Sequence, residues 1–222
     1  MTLQEAMAVR HTVRKYKNTP LSADMADKLN CRISEQNKKY GLSMKLVTQS
    51  NDAMPAIFAK TMSKGVRNYI IIAGPNTPDI CEKLGYSSAD VMLYAQTLGL
   101  NTWWIGGMYS RKNAKKNLGA GDNAKIVGIV AVGYGEEQGV PHKSKAASEV
   151  ASYAGTAPDW FNAGVAAALL APTAMNKQEF TICGNGNQVS MTCGKGSYSD
   201  VDLGISKYHF ELGAGTENFT WM

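Results

Sequence analysis

The chain has 222 residues, 44% hydrophobic and 18% charged, so it can bury a substantial core and is too apolar to be disordered. Lysine and arginine outnumber the acids 23 to 18; this +5 balance suits an anionic ligand, and the scattered basic residues follow no recognition-helix or zinc-finger pattern, so no nucleic-acid partner is expected. No apolar run reaches bilayer length, and the Met-Thr-Leu-Gln-Glu start lacks a basic region leading into an apolar core, so neither a membrane partner nor a secretory signal is expected.

Thr2 and Glu5 predict a capping box for a first short helix with Leu3, Ala6 and Met7 on one side. It runs into Arg10-His11-Thr12-Val13-Arg14-Lys15-Tyr16, two arginines, an imidazole and a hydroxyl within five residues. Guanidinium forks with a hydroxyl at a helix end are what a phosphate monoester requires, although a solvated basic helix end explains the same residues. Ser22 predicts the N-cap of a second helix; Met25, Leu29 and Ile33 form its apolar stripe and Gly41 closes it.

Met44 to Thr48 alternates like a strand. The stretch from Asn51 to Gly65 is ambiguous, with Pro55 pointing to a loop before a short helix. Tyr69 to Ala73 is a continuous β-rich run bounded by Gly74-Pro75, as in a central strand covered on both faces. After Tyr86-Ser87-Ser88-Ala89-Asp90 a helix carries Val91, Met92, Tyr94, Ala95 and Leu98, with Gly99 at its end. Asn101 to Gly107 follows, and Lys125 to Val132 is a second buried strand closed by Gly133-Tyr134-Gly135.

Residues 148–157, rich in Ser, Ala and Gly, read as a linker between a first part, 1–147, and a second, 158–222. Asp159 is expected to cap an apolar helix from Trp160 to Leu170, stopped by Pro172. Strands are expected near Phe180–Cys183 and Gln188–Thr192 around Gly184-Asn185-Gly186-Asn187, then a helix from about Asp200 to Leu212 and an edge strand from the last residues. Tyr86 to Asp90 and Tyr198 to Asp202 share three residues in register, a hint of an internal repeat.

The cysteines, Cys31, Cys81, Cys183 and Cys193, form no C-x-x-C pair, and the histidines are not spaced as metal ligands. They read as reduced thiols of a cytoplasmic protein, with a Cys183–Cys193 hairpin disulfide as the alternative. There is no Ser/His/Asp order, paired-carboxylate site or P-loop, and Gly133-Tyr134-Gly135 is not a dinucleotide fingerprint.

Taken together, these stretches resemble the FMN-dependent nitroreductase family. Arg10 to Tyr16 is similar to its R-R-S-x-R-x-F stretch, and Leu98-Gly99-Leu100 through Ile105-Gly106-Gly107 to its A-L-G-L-x-x-x-x-I-G-G segment. Val132 to Gly135 with Lys143-Ser144-Lys145 resembles its G-Y-P and K-x-R pieces. Ala171 to Phe180 resembles A-P-S-x-x-N-x-Q-P-W, and Asp202-Leu203-Gly204-Ile205 resembles D-x-G-I. In ordinary members the A-P-S piece follows closely after the basic stretch; here it lies in the second part of the chain. This resembles the minimal, duplicated type in which one chain mimics a dimer.

The resemblance implies an α+β fold with a central, mostly antiparallel sheet flanked by helices and two pseudo-symmetric halves. It implies FMN as cofactor, NADH or NADPH as electron donor, and a nitroaromatic, quinone or similar small-molecule acceptor. By it, Arg10 and Thr12 hold the FMN phosphate with Lys143 and Lys145 closing from the other side, and Arg14 approaches the flavin pyrimidine; His11 either donates to the phosphate or ribityl or lies at the surface. Ile105, Gly106 and Gly107 lie at the ring, and Pro172, Thr173, Met175, Asn176 and Gln178 line its other face. The flavin site would be complete in one chain, as a monomer or in a homodimer, with no catalytic side chain and no metal. The alternative function is a non-catalytic flavin-binding or storage protein. An exposed loop for the lysine pair, a plain turn at the glycines and a Pro-stopped helix end at 171–178 remain open beside these assignments.

Overall fold

A computed structural model of the chain describes residues 1–54, 63–119 and 123–222. The region around Pro55, expected to be a loop and short helix, falls largely outside them. Helix α1 (Leu3–Val9) starts where expected: the Thr2 hydroxyl accepts the Glu5 N–H and the Glu5 carboxylate accepts the Thr2 N–H. Helix α2 (Ala23–Tyr40) has Ser22 as N-cap and ends on left-handed Gly41, and buries Leu29 and Ile33.

Strands β1 (Lys45–Val47), β2 (Tyr69–Pro75), β3 (Asn101–Ile105) and β4 (Ala124–Gly133) form an antiparallel sheet in the order β1-β2-β4-β3. Every residue of β2 except Pro75 is buried, as its continuous apolar run requires. The period of two sorts its side chains: Tyr69, Ile71 and Ala73 join the core against Ala114 and Leu118 of α4 (Arg111–Leu118). Ile70 and Ile72 join the core against α2 and α3 (Ile80–Thr97).

Helix α3 begins well before Val91 and includes Tyr86 to Asp90, and α4 carries no apolar period in the sequence, only the Ser110 cap and Gly119.

The expected linker is partly ordered structure. A helical turn, α5 (Ala147–Val150), leads into β5 (Ala151–Tyr153), which pairs in parallel with β6 (Phe180–Asn185). Helix α6 (Asp159–Ala168) has Pro158 rather than Asp159 at its cap. Strands β6 and β7 (Gln188–Cys193) form the expected hairpin, and β8 (Thr220–Trp221) adds a parallel edge, giving a second four-stranded sheet in the order β5-β6-β7-β8. Its alternating strands bury Phe180, Ile182, Val189 and Met191 against α6 and α7 (Ser199–Ala214). The α+β architecture therefore holds, with a sheet of its own in the second part.

Helix α7 joins the two parts by packing on both α3 and α6. Glycine makes the α3–α7 approach possible. A Cβ on Gly85 would lie 2.1 Å from the Val201 carbonyl oxygen, and one on Gly204 2.0 Å from that of Glu82. All four cysteines are free, and Cys193 pairs in the sheet with Phe180 while Cys183 faces Ser190, which rules out the hairpin disulfide. Among the described residues no helix is long and apolar enough to cross a membrane, and no cluster of metal-ligating side chains occurs.

Candidate functional site

A cavity of about 890 Å³ opens between the end of α1, the end of β3, the segment after α6 and the start of α7. It is lined from both parts of one chain: Arg10, His11, Thr12, Arg14, Ile105, Gly106 and Gly107 from the first, and Pro172, Thr173, Met175 and Asn176 from the second. Lys143, Lys145 and Gln178 are not among its walls.

The basic stretch leaves α1 at Arg10 and runs beside β3, where Thr12 bridges Thr102 and the Val13 N–H donates to the Thr102 carbonyl. Buried Val13 and Tyr16 anchor it in the first core, and the residues between turn to the cavity. Arg10 is 5% exposed. Burial pulls its pKa down to about 10, so the guanidinium is still charged at neutral pH. Among the described residues the side chains of Arg10, His11, Thr12 and Arg14 form no hydrogen bond and no ion pair. Arg14 stacks over Trp103 at 5.3 Å from the ring centroid. Burial, then the charge of Arg10 and the neighbouring His142, lower the pKa of His11. A buried cation without a carboxylate, beside a free hydroxyl and a second arginine, fits a dianionic phosphate.

Beneath this corner lies His209 of α7, 1% exposed. Its Nδ1 donates to the Ile205 carbonyl at 2.9 Å and its Nε2 has no partner. Burial drives its pKa to about 3, so it is neutral at pH 7. Arg10 therefore carries the positive charge of the buried floor.

Gly106 and Gly107 end β3 at the cavity wall, and their N–H groups have no acceptor among the described residues. The need for glycine at 106 is steric. A Cβ there would lie 2.6 Å from Tyr198 and 2.9 Å from Trp104, whose rings meet edge to face. Gly107 would meet only the Tyr198 hydroxyl, at 3.6 Å, and leaves that wall open.

The second part supplies a strained rim. Met175, Asn176 and Gln178 have φ of 53°, 55° and 49°, left-handed values that cost about 1–2 kcal/mol for each side-chain-bearing residue. The loop is clamped at both ends. Both Asp202 oxygens accept the Ala174 N–H, and the Gln178 N–H donates to the Thr173 hydroxyl. The Gln178 amide is spent inside the clamp, accepting from the Lys145 N–H and donating to Asn176 Oδ1. Lys145 Nζ donates to the Gln178 carbonyl, and Asn176 Nδ2 to the Lys143 carbonyl. These bonds hold the Lys143–Lys145 segment behind the rim, which is why neither lysine reaches the cavity. Met175 is left 91% exposed at its edge.

Several lining residues went unread in the sequence: Trp103, Trp104, His142, Lys177, Glu179, Tyr198 and Asp202. Tyr198 and Asp202 were visible as the start of the repeat, and Asp202 as the head of D-x-G-I, but nothing local pointed them at a ligand. Asp202 stands out chemically, because burial raises its pKa to about 6 against the bond from Ala174.

Residues 2–214 match the family described as "Putative TM nitroreductase". No curated protein sequence matches the chain. Among solved structures, one described as a "putative nitroreductase" from Thermotoga maritima is 19% identical, with 96% of this chain and 83% of that one covered at a TM-score of 0.70. A "putative NADH dehydrogenase/NAD(P)H nitroreductase" from Bacteroides thetaiotaomicron is 18% identical, covering 67% of this chain and 95% of its own at 0.51. A nitroreductase-like protein from Bacillus cereus is 15% identical, covering 67% and 94% at 0.51. At these identities the structures speak for a shared fold.

Proposed function

This chain belongs to the family described as "Putative TM nitroreductase", a family of oxidoreductases, and we propose that it is an FMN-dependent enzyme passing electrons from NADH or NADPH to a nitroaromatic, quinone or similar acceptor. The observation that carries the cofactor is the cluster of four polar side chains within five residues, facing one cavity with no hydrogen bond or ion pair among the described residues. Arg10 and Thr12 hold the phosphate, with His11 as an additional donor. Arg14, fixed over Trp103, lies toward the pyrimidine, where a cation favours the reduced form. The Gly106 and Gly107 N–H groups and the Pro172–Asn176 rim bracket the ring.

When bound, the flavin supplies the hydride chemistry; the residues of the chain bind, orient and exclude water. That both parts of one chain line the cavity supports a site complete without a second subunit. The four free thiols support a reducing, cytoplasmic setting. The test is release and chromatography of the cofactor, then NAD(P)H oxidation with and without a quinone. FMN with acceptor-dependent turnover is the expected result. FMN without turnover makes the protein a flavin carrier, and a protein that ignores added FMN overturns the proposal.

A further inference from the structure

Helix α7 runs along the cavity floor and gives it a direction. Asp202 and Ile205 line it, and one turn further His209 lies near enough to Arg10 to feel its charge. From Asp202 to His209 is seven residues, roughly 10 Å at 1.5 Å per residue, so Asp202 stands about two turns from the anion corner. The far end holds two carboxyl groups. Glu179 pairs with Lys177 at 3.6 Å. Among the described residues Asp202 pairs with no cation; its partner is the Ala174 N–H, 3.0 and 3.1 Å from its two oxygens.

We propose that Asp202 selects the acceptor: its carboxyl, in the protonated form, donates a hydrogen bond to a nitro or quinone oxygen in the cavity, so that such ligands bind with uptake of a proton. This rests on the cavity being the flavin and acceptor site, and it extends that function to a specificity-determining residue. Both oxygens accept from Ala174 as the chain stands; on protonation one would keep that bond and the other would carry the proton to the ligand. The charges facing the group keep that proton available. From the segment after the rim, Glu179 raises the Asp202 pKa while Lys177 lowers it, and burial outweighs both. The Cys193 thiol, at the end of β7, is pushed up by burial and by Asp202 and adds no charge at neutral pH.

The test uses the flavin-loaded, oxidised protein with nitrobenzene, which has no titratable group. Calorimetry in two buffers of different ionisation enthalpy reads proton uptake between pH 6 and 8. The wild type should take up a proton on binding, and its affinity should fall by up to tenfold per pH unit above about 6. Asp202→Asn, which always carries a donor, should bind with no uptake and a flat profile. Asp202→Ala should bind weakly throughout. Flavin absorbance is followed in every sample. With FMN retained, a flat wild-type profile, absent binding or an Asn variant that keeps the slope overturns the Asp202 assignment. A flat profile with binding lost in Tyr198→Phe would give the donor role to that phenol. Wild-type protein that holds no FMN overturns the proposed function, and the assignment falls with it.

Discussion

Arg32 and Arg10 both withdraw from solvent, on opposite terms. Arg32 of α2 reaches across to α3, where its Nε and Nη2 each meet an Asp90 oxygen at 2.6 Å, and Tyr208 of α7 donates to the same carboxylate. Its ring neighbour is Tyr94, and the bonds to Asp90 hold its pKa above the usual arginine value. Arg10 is more deeply buried and, among the described residues, has no carboxylate, with an aromatic hydroxyl and two histidines within reach of its charge. The first arginine fastens three helices. The second holds a charge that the described residues leave unanswered, next to a cavity, which is what the proposed phosphate would answer.

Breaking the satisfied site should produce the largest effect. Arg32→Ala leaves the Asp90 side chain, 3% exposed, with Tyr208 as its remaining side-chain partner. A loss of about 3 kcal/mol is expected, toward the low end for a buried pair because the Arg32 side chain keeps 27% exposure. Urea unfolding measures it, and flavin affinity in the folded fraction should stay near wild type.

The unsatisfied site should respond in the opposite direction. The fall of the Arg10 pKa from 12.5 to about 10, burial less the help of Tyr16, corresponds to a net cost of roughly 3 kcal/mol for the charge. Relaxation toward the cavity reduces this, so Arg10→Met should stabilise the flavin-free protein by about 1–2 kcal/mol. The same variant should lose most of its FMN affinity. Paired urea melts with and without FMN would show the crossover: the variant more stable alone, the wild type more stable with ligand.

A pH-dependent effect, small at pH 7 and growing with acid, sharpens the picture of the corner as one charge beside a neutral imidazole. His209 titrates at about 3 in the folded chain against 6.5 unfolded. Its contribution to stability is fully present above pH 6.5 and is lost as pH falls, at about 1.4 kcal/mol per pH unit toward 3. His209→Phe should remove that slope. Chemical denaturation of both proteins at pH 7, 6 and 5 should show the wild type losing ground relative to the variant.

The same contrast explains what could be read in advance. The Thr2 box, the Ser22 cap, the buried β2 run and the glycine turn of the β6–β7 hairpin are local signals, and local physics governs them. So is the basic stretch, since four polar residues in a row of five advertise themselves. Strand β5 went unread because it is an edge strand that owes its place to β6 rather than to its own Ala-Ser-Tyr sequence. Helix α4 went unseen because its face is set by Ala114 and Leu118 alone amid lysines. The bonds of Lys145 to Gln178, thirty-three residues later in the chain, could not be read from the local Lys143-Ser144-Lys145 sequence. Asp202 and Tyr198 acquire meaning only when α7 crosses α3 and lies along the cavity.

The most direct measurement compares FMN with riboflavin, the same ring without the phosphate, in titrations of the wild type and Arg10→Met. Each charge-assisted bond to the phosphate contributes about 1.5–3 kcal/mol, so the wild type should prefer FMN by at least tenfold to a hundredfold. Arg10→Met should erase most of that preference while leaving riboflavin binding close to unchanged. A wild type that binds the two flavins equally, or an Arg10→Met protein that keeps the full preference, would contradict the assignment of this buried charge to a phosphate.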